Sequence, residues 1–366
     1  MSIRKVDFWP SVCSHSFYVM KNPDKAFLTV VIPIYNAEKY IAQCMDSLIA
    51  VRREEMEIIV VDDGSTDGGP GIVSGYCRIH PEVKLLRQGN SGPSAARNLG
   101  MAHASGRYVT FVDGDDYVDP ETLGRHMELM RGREFDIWAS DFYRVGDNGR
   151  VLDSVSQIEK TEFPIEDAAY LEQFLRAGDC VWNVWRYVFS REFIERNGLV
   201  FREGYNIAED LEFMVRALTA CRRPVFFHEP YYRYRVNYGA SLTRVYTAER
   251  VRQFTEMILL ARTHLGMQQT DMLIRKKLAR EYILNLSLYA ECPRDERNSA
   301  YERLRSASEL AEDAAGVYKA AATAVKVTGI RASAWLLLGM KRVKRRVRRH
   351  RQLYGKAAGV GGDPGI

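Results

Sequence analysis

The sequence lacks several features that would place it in other classes of protein. It has no run of about 18 apolar residues, so no membrane-spanning helix is expected. Its six cysteines show neither a CxxC pair nor a zinc-like spacing, which favours reduced thiols in a cytosolic protein. Residues 1–25 contain charges and prolines instead of a sustained apolar core, so no secretory signal is expected. The seven histidines are scattered and indicate no catalytic or metal site.

The composition is that of a globular protein with an uneven charge. The 366 residues are 46% hydrophobic, enough for two domains or for one large domain with a helical appendage. The net charge is +5, and the segment 341–351 contains eight Lys and Arg residues and no acid. The rest of the chain is therefore mildly acidic. A basic tail could attract an anionic membrane surface, bind nucleic acid or simply be solvated.

Strands and helices alternate in the first third of the chain. β-Branched and aromatic runs predict strands at 28–34, 57–61, 83–86 and 108–112. Apolar residues at helical spacing follow the first strand, and Asn36 is predicted to cap that helix. Such an alternation predicts a parallel sheet, with ligands in the crevice beyond the carboxyl ends of the strands.

Two acidic clusters follow predicted strands. Asp62 and Asp63 come directly after the second strand, and Asp113, Asp115 and Asp116 follow the fourth. Carboxylates at a strand end repel one another and lose hydration, so they need compensation. A divalent cation supplies it, since Mg²⁺ and Mn²⁺ prefer oxygen ligands and bind together with substrate phosphates. The Asp-X-Asp pattern therefore predicts a metal–diphosphate site, and a solvated acidic turn is the alternative.

The pattern changes in the second part of the chain. A strand is predicted at 136–140, and a helix that begins at Glu209 has an apolar face at i, i+3, i+4 and i+7. From about Ala248 onward the chain is predicted to be helical, with breaks near Cys292 and Gly329. The Gly-rich end is predicted to be disordered.

Taken in order, five segments resemble the motifs of the family 2 glycosyltransferases. They are VIPIYN at 31–36, VDDGSTD at 61–67, NSGPSAARNLG at 90–100, FVDGDD at 111–116 and EDLEF at 209–213. The resemblance is strong from about residue 27 to 120, recognisable to about 245 and absent beyond. It implies an α/β GT-A fold, which is a Rossmann-like mixed sheet flanked by helices, here with a C-terminal helical extension.

The resemblance, together with the helical pattern and the basic tail, divides the chain into four predicted parts. Within the catalytic part, 27–120 is predicted to bind nucleotide-sugar and metal, and 121–245 to bind the acceptor and supply the base. The four parts are an irregular N-terminal extension (1–26), a GT-A catalytic domain (27–245), a helical region (246–340) and a basic, Gly-rich tail (341–366).

In the family, the first four motifs hold the donor and a metal ion. The implied nucleotide-sugar contacts are Pro33, Tyr35, Asp62, Asp63, Arg97, Asp113 and Gly114. Asp113 and Asp115 are the implied ligands of Mn²⁺ or Mg²⁺, and Asp116 is implied to orient their loop. From its chemistry alone, Asp63 could accept a hydrogen bond from the uracil imide N–H or cap a turn. Tyr35 could stack on the base or pack in the protein.

The fifth motif implies the residue that performs acid–base chemistry. Inverting glycosyl transfer is a direct displacement at the anomeric carbon, so a carboxylate must take the proton of the acceptor hydroxyl. Asp210 is the implied general base, and Glu209 is structural or contacts the acceptor. An acidic first turn is also the ordinary preference of a helix, which is the alternative. Trp182 and Trp185 could stack on an acceptor sugar or pack in the core.

Residues 231–244 resemble the loop that closes over the diphosphate in the family. Arg235, Ser241 and Arg244 are the implied phosphate or acceptor contacts in it. Many relatives carry a histidine in the region where this chain has Asn237, so no third metal ligand is expected from the loop.

The sequence therefore predicts an inverting, metal-dependent glycosyltransferase. Its donor is expected to be a UDP-sugar, and its acceptor a hydroxyl of a lipid-linked or polymeric cell-surface glycan. A sugar-nucleotide pyrophosphorylase would need a Gly-rich phosphate loop after the first strand, where this chain has PIYN at 33–36. A catalytically inactive, membrane-tethered nucleotide-sugar or glycan-binding protein is the other alternative, against which the intact Asp113, Asp115 and Asp210 argue.

The C-terminal region predicts a location. Residues 333–340 are apolar or small, and they are too few to span a bilayer. Followed by the basic run, they favour an interfacial anchor with Trp335 at the level of the headgroups. The implied partner is an anionic membrane surface, with the protein cytoplasmic and peripheral on the inner face of the cell membrane. Nucleic acid is the less favoured partner.

Overall fold

The structure is a computed structural model in which nine described strands form one mixed sheet. The described residues are 26–51, 55–155, 162–177, 181–236 and 247–357, with the backbone alone for 317 and 341–357. The strands are β1 (Ala26–Ile34), β2 (Met56–Asp62), β3 (Val83–Arg87), β4 (Gly106–Phe111), β5 (Tyr117–Val118), β6 (Ile137–Val145), β7 (Val151–Val155), β8 (Tyr187–Ser190) and β9 (Pro224–Arg235). Their order is β3-β2-β1-β4-β8-β6-β9-β5, with β7 paired to β6. The predicted contacts Ser241 and Arg244, and residues 1–25, lie outside the described part.

The first four strands and three helices form the parallel half of the sheet. β1 pairs in parallel with β2 and β4, and β2 pairs in parallel with β3. The helices are α1 (Ile41–Ile49), α2 (Gly69–Ile79) and α3 (Pro93–His103). All seven residues of β2 are buried, as expected for a parallel strand covered on both faces. α3 packs closely on β1, since a Cβ at Gly100 would lie 2.3 Å from Val31 Cγ1. The predicted alternation is confirmed.

Asn36 does not cap α1, so that prediction is wrong. The helix begins at Ile41, directly after Tyr40, and no side chain caps it. Asn36 instead has a φ of 51°, and its Oδ1 accepts a hydrogen bond from the backbone N–H of Thr66 at 2.8 Å. Asparagine adopts left-handed backbone more readily than most residues. The side chain therefore ties the loop after β1 to the loop after β2.

The sheet curls between β4 and β5. In the strand order these two strands are four steps apart, which would be about 19 Å in a flat sheet. Only residues 112–116 connect them, and these include a tight turn in which Asp116 N–H donates to the carbonyl of Asp113 at 2.9 Å. So short a connection requires the sheet to curve back on itself. The predicted metal-binding aspartates lie inside this curve.

Helices cover the antiparallel side of the sheet and extend beyond it. α9 ends shortly before Cys292 and α11 is interrupted at Gly329, which has a φ of 78°, so both predicted breaks are confirmed. The four described cysteines are free thiols, as expected. The remaining helices are α4 (Pro120–Met130), α5 (Tyr170–Ala177), α6 (Arg191–Arg196), α7 (Glu209–Ala220), α8 (Ala248–Thr263), α9 (Gln269–Tyr289), α10 (Arg297–Ser306) and α11 (Val317–Ala357).

The helical region shares a hydrophobic core with the sheet. One cluster of buried side chains joins Val31 of β1, Tyr282 of α9 and Leu338 of α11. The helices after residue 247 therefore pack as part of the same body. On the outer side of α11, Trp335 is 50% and Leu336 is 56% exposed. None of the described helices combines the length and the apolar character that crossing a membrane requires.

Candidate active site

The loop after β1 lies beside the loop after β2 at the carboxyl ends of the parallel strands. Asp67 Oδ2 accepts a hydrogen bond from the N–H of Glu38 at 2.8 Å, and its Oδ1 accepts one from Gly69 at the start of α2. Asp67 therefore provides the turn and helix capping at this place. Tyr35 is left half exposed, where its ring can meet a planar ligand.

Asp62 and Asp63 have different tasks. Asp62 Oδ1 accepts a hydrogen bond from the backbone three residues later, at 2.9 Å. Asp63 is 4% exposed and accepts three bonds of 2.8 Å, from Ser91 N–H and Gln88 Nε2 at one oxygen and from Gly92 N–H at the other. It therefore orders the turn that leads into α3. A carboxylate has about four acceptor positions, so one remains for a ligand.

Arg97 of α3 joins the two halves of the crevice. Its Nη2 lies 2.9 Å from Asp113 Oδ1, and its Nη1 lies 3.1 Å from Glu209 Oε1 and 3.4 Å from Asp210 Oδ1. Arg97 is 4% exposed. Burial lowers the pKa of Arg97, but the carboxylates of Asp210, Asp113 and Glu209 raise it further, so the guanidinium stays charged. One side chain thus holds a predicted donor contact and the predicted base.

Asp210 is a partly buried carboxylate whose Oδ1 faces Arg97 but accepts no hydrogen bond among the described residues. The backbone N–H of Val184 donates to Asp210 Oδ2 at 3.4 Å, whereas Oδ1 has no hydrogen-bond partner among the described residues. Burial raises the pKa of Asp210 to about 7 against the opposing charge of Arg97, and repulsion from Glu209 adds to the rise. A carboxylate with a pKa near 7 can accept and release a proton under ordinary conditions.

The aspartates of the acidic turn after β4 have different surroundings. Asp116 is 1% exposed, and its Oδ2 accepts a hydrogen bond from the hydroxyl of Tyr232 at 2.7 Å. Burial raises the pKa of Asp116 well above its ordinary value. Asp115 differs, because burial followed by repulsion from Asp113 raises its pKa to about 6. Negative charge at Asp115 is therefore costly, and a nearby cation would relieve the cost.

This turn suits a divalent cation that binds together with a ligand. Across the described ranges, no three His, Cys, Asp or Glu side chains converge into a complete metal site. Mg²⁺ commonly takes one or two protein carboxylates and completes its shell with substrate phosphates and water. Asp113 and Asp115 offer that donor set, because both carboxylates belong to one turn and neither is fully buried. Burial raises the pKa of Asp115, and a cation beside it would favour its ionised form.

Arg235 has other neighbours than predicted. Its Nε donates to the carbonyl of Asp115 at 2.7 Å, and its Nη2 donates to Gln43 Oε1 at 2.8 Å. The guanidinium lies 4.8 Å from the ring centre of Tyr40 and 5.3 Å from that of Tyr117. With these partners and 3% exposure, Arg235 supports the acidic turn, and its phosphate or acceptor contact stays a prediction.

Trp182 and Trp185 both contact other parts of the protein. Trp185 is 2% exposed and stacks on Tyr232 with ring centres 4.3 Å apart, so the core alternative holds for it. Trp182 is partly buried, and its Nε1 lies 3.4 Å from Glu281 Oε1 of α9. Trp182 thereby connects the segment before β8 with the helical region.

Comparison with known proteins agrees with this geometry. The model of glycosyl transferase family 2 matches residues 29–194. EpsJ of Bacillus subtilis (strain 168), named an uncharacterized glycosyltransferase, is 34% identical over 220 residues, which are 60% of this chain and 63% of EpsJ. YibD of Escherichia coli (strain K12), also named an uncharacterized glycosyltransferase, is 30% identical over 287 residues, which are 76% of this chain and 77% of YibD. The chain belongs to glycosyl transferase family 2.

The fold of this family 2 chain is also found in a solved structure. The crystal structure of S. aureus TarS 1–349 in complex with UDP-GlcNAc matches with a TM-score of 0.70 at 20% identity, over 87% of this chain and 92% of that chain. The GT-A prediction is thereby confirmed. The family match contains Asp63, Arg97, Asp113 and Asp115 but ends before Asp210. The role of Asp210 therefore depends on the contacts described above.

Three residues of the family 2 site were not predicted from the sequence. Tyr232 bonds to the acidic turn, and Gln88 bonds to Asp63. Ala208 has a φ of 61° directly before the two acids of α7. Tyr232 belongs to the run YYRYR, whose aromatic residues indicate a strand but not its partner. An alanine with positive φ has no sequence signature at all.

Proposed function

We propose that this family 2 protein is an inverting glycosyltransferase. It moves a sugar from a UDP-sugar to a hydroxyl of a lipid-linked or polymeric cell-surface glycan, with a divalent cation at Asp113 and Asp115. The main support is the position of Arg97, which lies 2.9 Å from Asp113 and 3.4 Å from Asp210. Arg97 thus brings the carboxylate of Asp113, on the donor side, close to that of Asp210, whose pKa is about 7. Inverting transfer requires such a combination in one crevice.

Asp210 acts as the general base in this proposal. Its Oδ1, which has no hydrogen-bond partner in the described residues, accepts the proton of the acceptor hydroxyl. The oxygen of that hydroxyl then forms a bond to the anomeric carbon. The bond from that carbon to the donor diphosphate breaks, and its electron pair leaves with the phosphate oxygen. Val184 N–H and Arg97 keep the carboxylate oriented while this happens.

The donor side is supported by the first two loops and the acidic turn. The remaining acceptor position of Asp63 suits the imide N–H of uracil, and the exposed ring of Tyr35 suits stacking on the base. The similar fold of TarS was crystallised in complex with UDP-GlcNAc, which supports a UDP-linked donor. When bound at Asp113 and Asp115, a divalent cation would offset the charge that develops on the leaving diphosphate.

The protein is further proposed to work at the cytoplasmic face of the cell membrane. Trp335, Leu336 and Met340 are about half exposed on α11, whereas Leu338 of the same turns is buried. The helix continues through the basic segment 341–351. Each cation near an anionic leaflet contributes up to about 1 kcal/mol, so the helix suits an anionic surface. Truncation after Met340 should release the protein from anionic liposomes, and unchanged binding would contradict this location.

An inactive nucleotide-sugar-binding protein remains the alternative to an enzyme. Such a protein needs the donor contacts of Asp63 and Tyr35 but gains nothing from Asp210. A carboxylate oxygen that is buried and accepts no hydrogen bond costs stability, and this cost is expected where a proton must be taken up. This observation favours catalysis.

The experiment that tests the proposal is a screen of nucleotide-sugars for hydrolysis and transfer. We expect turnover of a UDP-sugar with Mn²⁺ or Mg²⁺ and loss of turnover in EDTA. Asp115→Asn should lose metal-dependent UDP binding and stay folded. Asp295→Asn changes an exposed acid in the loop between α9 and α10 and should behave as the parent protein. Full activity in EDTA would overturn the metal assignment, and tight UDP binding without turnover would favour the binding protein.

A further inference from the structure

We infer that Tyr232 and Arg235 of β9 are positioning residues for the acidic turn after β4. They hold its backbone in the conformation that leaves Asp113 and Asp115 available for a cation. The inference depends on the proposed function for the identity of that cation. It gives Tyr232 a part in the site, and it gives Arg235 a different part from the phosphate or acceptor contact that the resemblance implies.

Tyr232 fastens the turn at both of its ends. Its hydroxyl accepts a hydrogen bond from the backbone N–H of Asp113 at 3.1 Å and donates to Asp116 Oδ2 at 2.7 Å. The ring is fully buried and stacks on Trp185, with 4.3 Å between the ring centres and an angle of 12°. A hydroxyl on a ring that is packed in this way has little freedom to move. It therefore fixes the distance between the first and last aspartate of the turn.

Arg235 fastens the middle of the turn from the same strand. Its backbone N–H donates to Asp116 Oδ1 at 2.6 Å, and its Nε donates to the carbonyl of Asp115 at 2.7 Å. The guanidinium is held in turn by Gln43 and by the ring of Tyr40. Both carboxylate oxygens of Asp116 are consequently bonded to β9. Asp116 is a structural anchor, and the two other aspartates remain for a ligand.

Strand pairing sets the register of this arrangement. Tyr117 and Val118 of β5, directly after the turn, pair with Arg233 and Tyr232 of β9. β9 therefore provides the side chains that bond to the turn, and it also pairs with β5, which directly follows the turn. Metal ligands must be placed to within about 0.5 Å, and their outer partners commonly change metal affinity by about 10- to 100-fold. We expect the same of Tyr232 and Arg235.

The test removes the hydroxyl of Tyr232 and keeps its ring. Tyr232→Phe should weaken the binding of Mn²⁺ in the presence of UDP by about tenfold or more, measured by electron paramagnetic resonance of free Mn²⁺. The KM for the donor should rise, whereas kcat at saturating Mn²⁺ and donor should stay within a few-fold. Tyr231→Phe is the matched control, because its hydroxyl makes no bond to the turn among the described contacts.

A second variant keeps the inference testable if the first one unfolds. Arg235→Lys keeps the backbone bond to Asp116 but loses Nε, so it should weaken Mn²⁺ binding less than Tyr232→Phe does. Mn²⁺ affinity within about twofold of the parent protein in both variants would overturn the inference, since outer partners of a metal site normally matter more than that. If Asp115→Asn also binds Mn²⁺ normally, the cation site of the proposed function is wrong. If Asp115→Asn alone loses the ion, only the positioning role is wrong.

Discussion

Arg186 and Arg97 are both buried and both face carboxylates, but their surroundings differ in what they leave unpaired. Arg186 Nε donates to the carbonyl of Ser140 at 3.0 Å, and its Nη2 lies 3.4 Å from Asp141 Oδ1. Asp141 Oδ2 is 3.1 Å from His228 Nδ1, and His228 Nε2 is 2.9 Å from the hydroxyl of Tyr170. In the described structure, every buried polar side-chain atom of this group has a partner.

The group around Arg97 also joins a buried guanidinium with carboxylates, but two of its polar atoms form no hydrogen bond among the described residues. Arg97 Nε and Asp210 Oδ1 have no hydrogen-bond partner in the described structure, and burial raises the pKa of Asp210 to about 7. Buried polar atoms are nearly always paired, so two orphans in one cluster need an explanation. The paired group stabilises the fold, whereas the atoms without a hydrogen bond lie where we propose that a substrate binds. Mutations in each group can test this difference in role.

The largest effect is expected in the paired group. Asp141→Asn keeps the shape but removes one carboxylate charge that faces the buried guanidinium of Arg186, and breaking a buried ion pair typically costs about 3–5 kcal/mol. Urea unfolding should show this loss. Asp153→Asn is the control, because Asp153 forms an exposed ion pair with Arg144 and should cost less than about 1 kcal/mol. Equal stability of the two variants would contradict the claim that the group around Arg186 stabilises the fold.

The next effect concerns turnover in the unpaired group. Asp210→Asn removes the base and keeps its size, so turnover should fall by about 10²-fold or more while donor affinity persists. Single-turnover kinetics and UDP titration separate the two quantities. Glu209→Gln, in the adjacent position, should reduce turnover much less. Near-normal turnover of Asp210→Asn would place the base elsewhere.

The pH dependence gives opposite signs for activity and stability. The pKa of Asp210 in the folded protein is about 7, above its ordinary value of 3.8. Since the ionised form accepts the proton, kcat/KM should rise with pH up to about 7 and level off above it. Stability should fall as the pH rises from about 4 to about 7, because the folded state binds this proton more tightly than the unfolded state. A flat profile of kcat/KM across about pH 5.5 to 8.5 would contradict the assignment.

The smallest effect concerns the backbone before the base. Ala208 has a φ of 61° and a ψ of 17°, and left-handed backbone costs about 1–2 kcal/mol for a residue with a Cβ. Ala208→Gly should therefore raise the free energy of unfolding by about 1 kcal/mol and leave turnover within a few-fold. Ala220→Gly, at the last residue of α7, should lower it instead. A destabilised Ala208→Gly would show that the conformation is not strained.

The motifs located the residues of the site but not their contacts. Asp63, Asp113 and Asp210 were found because each follows a strand or begins a helix within a motif. The contact between Arg97 and Glu209 joins residues 112 positions apart, and no local spacing predicts a contact of that range. The resemblance implied that both belong to one site, and the structure shows that one guanidinium holds them.

One prediction failed where a tertiary contact competes with a local preference. Asn36 has the chemistry of a helix cap, but Thr66 on the neighbouring loop takes its side chain. The phosphate contact of Arg235 stays a prediction, although Gln43 and two aromatic rings already surround its guanidinium. The break at Gly329 was predicted from the sequence. The local pattern of this helix does not reveal that Leu338, beyond the break, packs in the common core.

The pairing of β5 with β9 also has a consequence during protein synthesis. Asp116 and Tyr232 are 116 residues apart in the chain, although their side chains bond in the folded protein. At about 5–20 residues per second, translation of this interval takes roughly 6 to 23 seconds. For most of it the nascent sheet has an open edge at β4, since its partner β8 (Tyr187–Ser190) is made late. The growing chain therefore exposes this edge until β8 has been made, and the acidic turn lacks its bonds to Tyr232 until β9 follows.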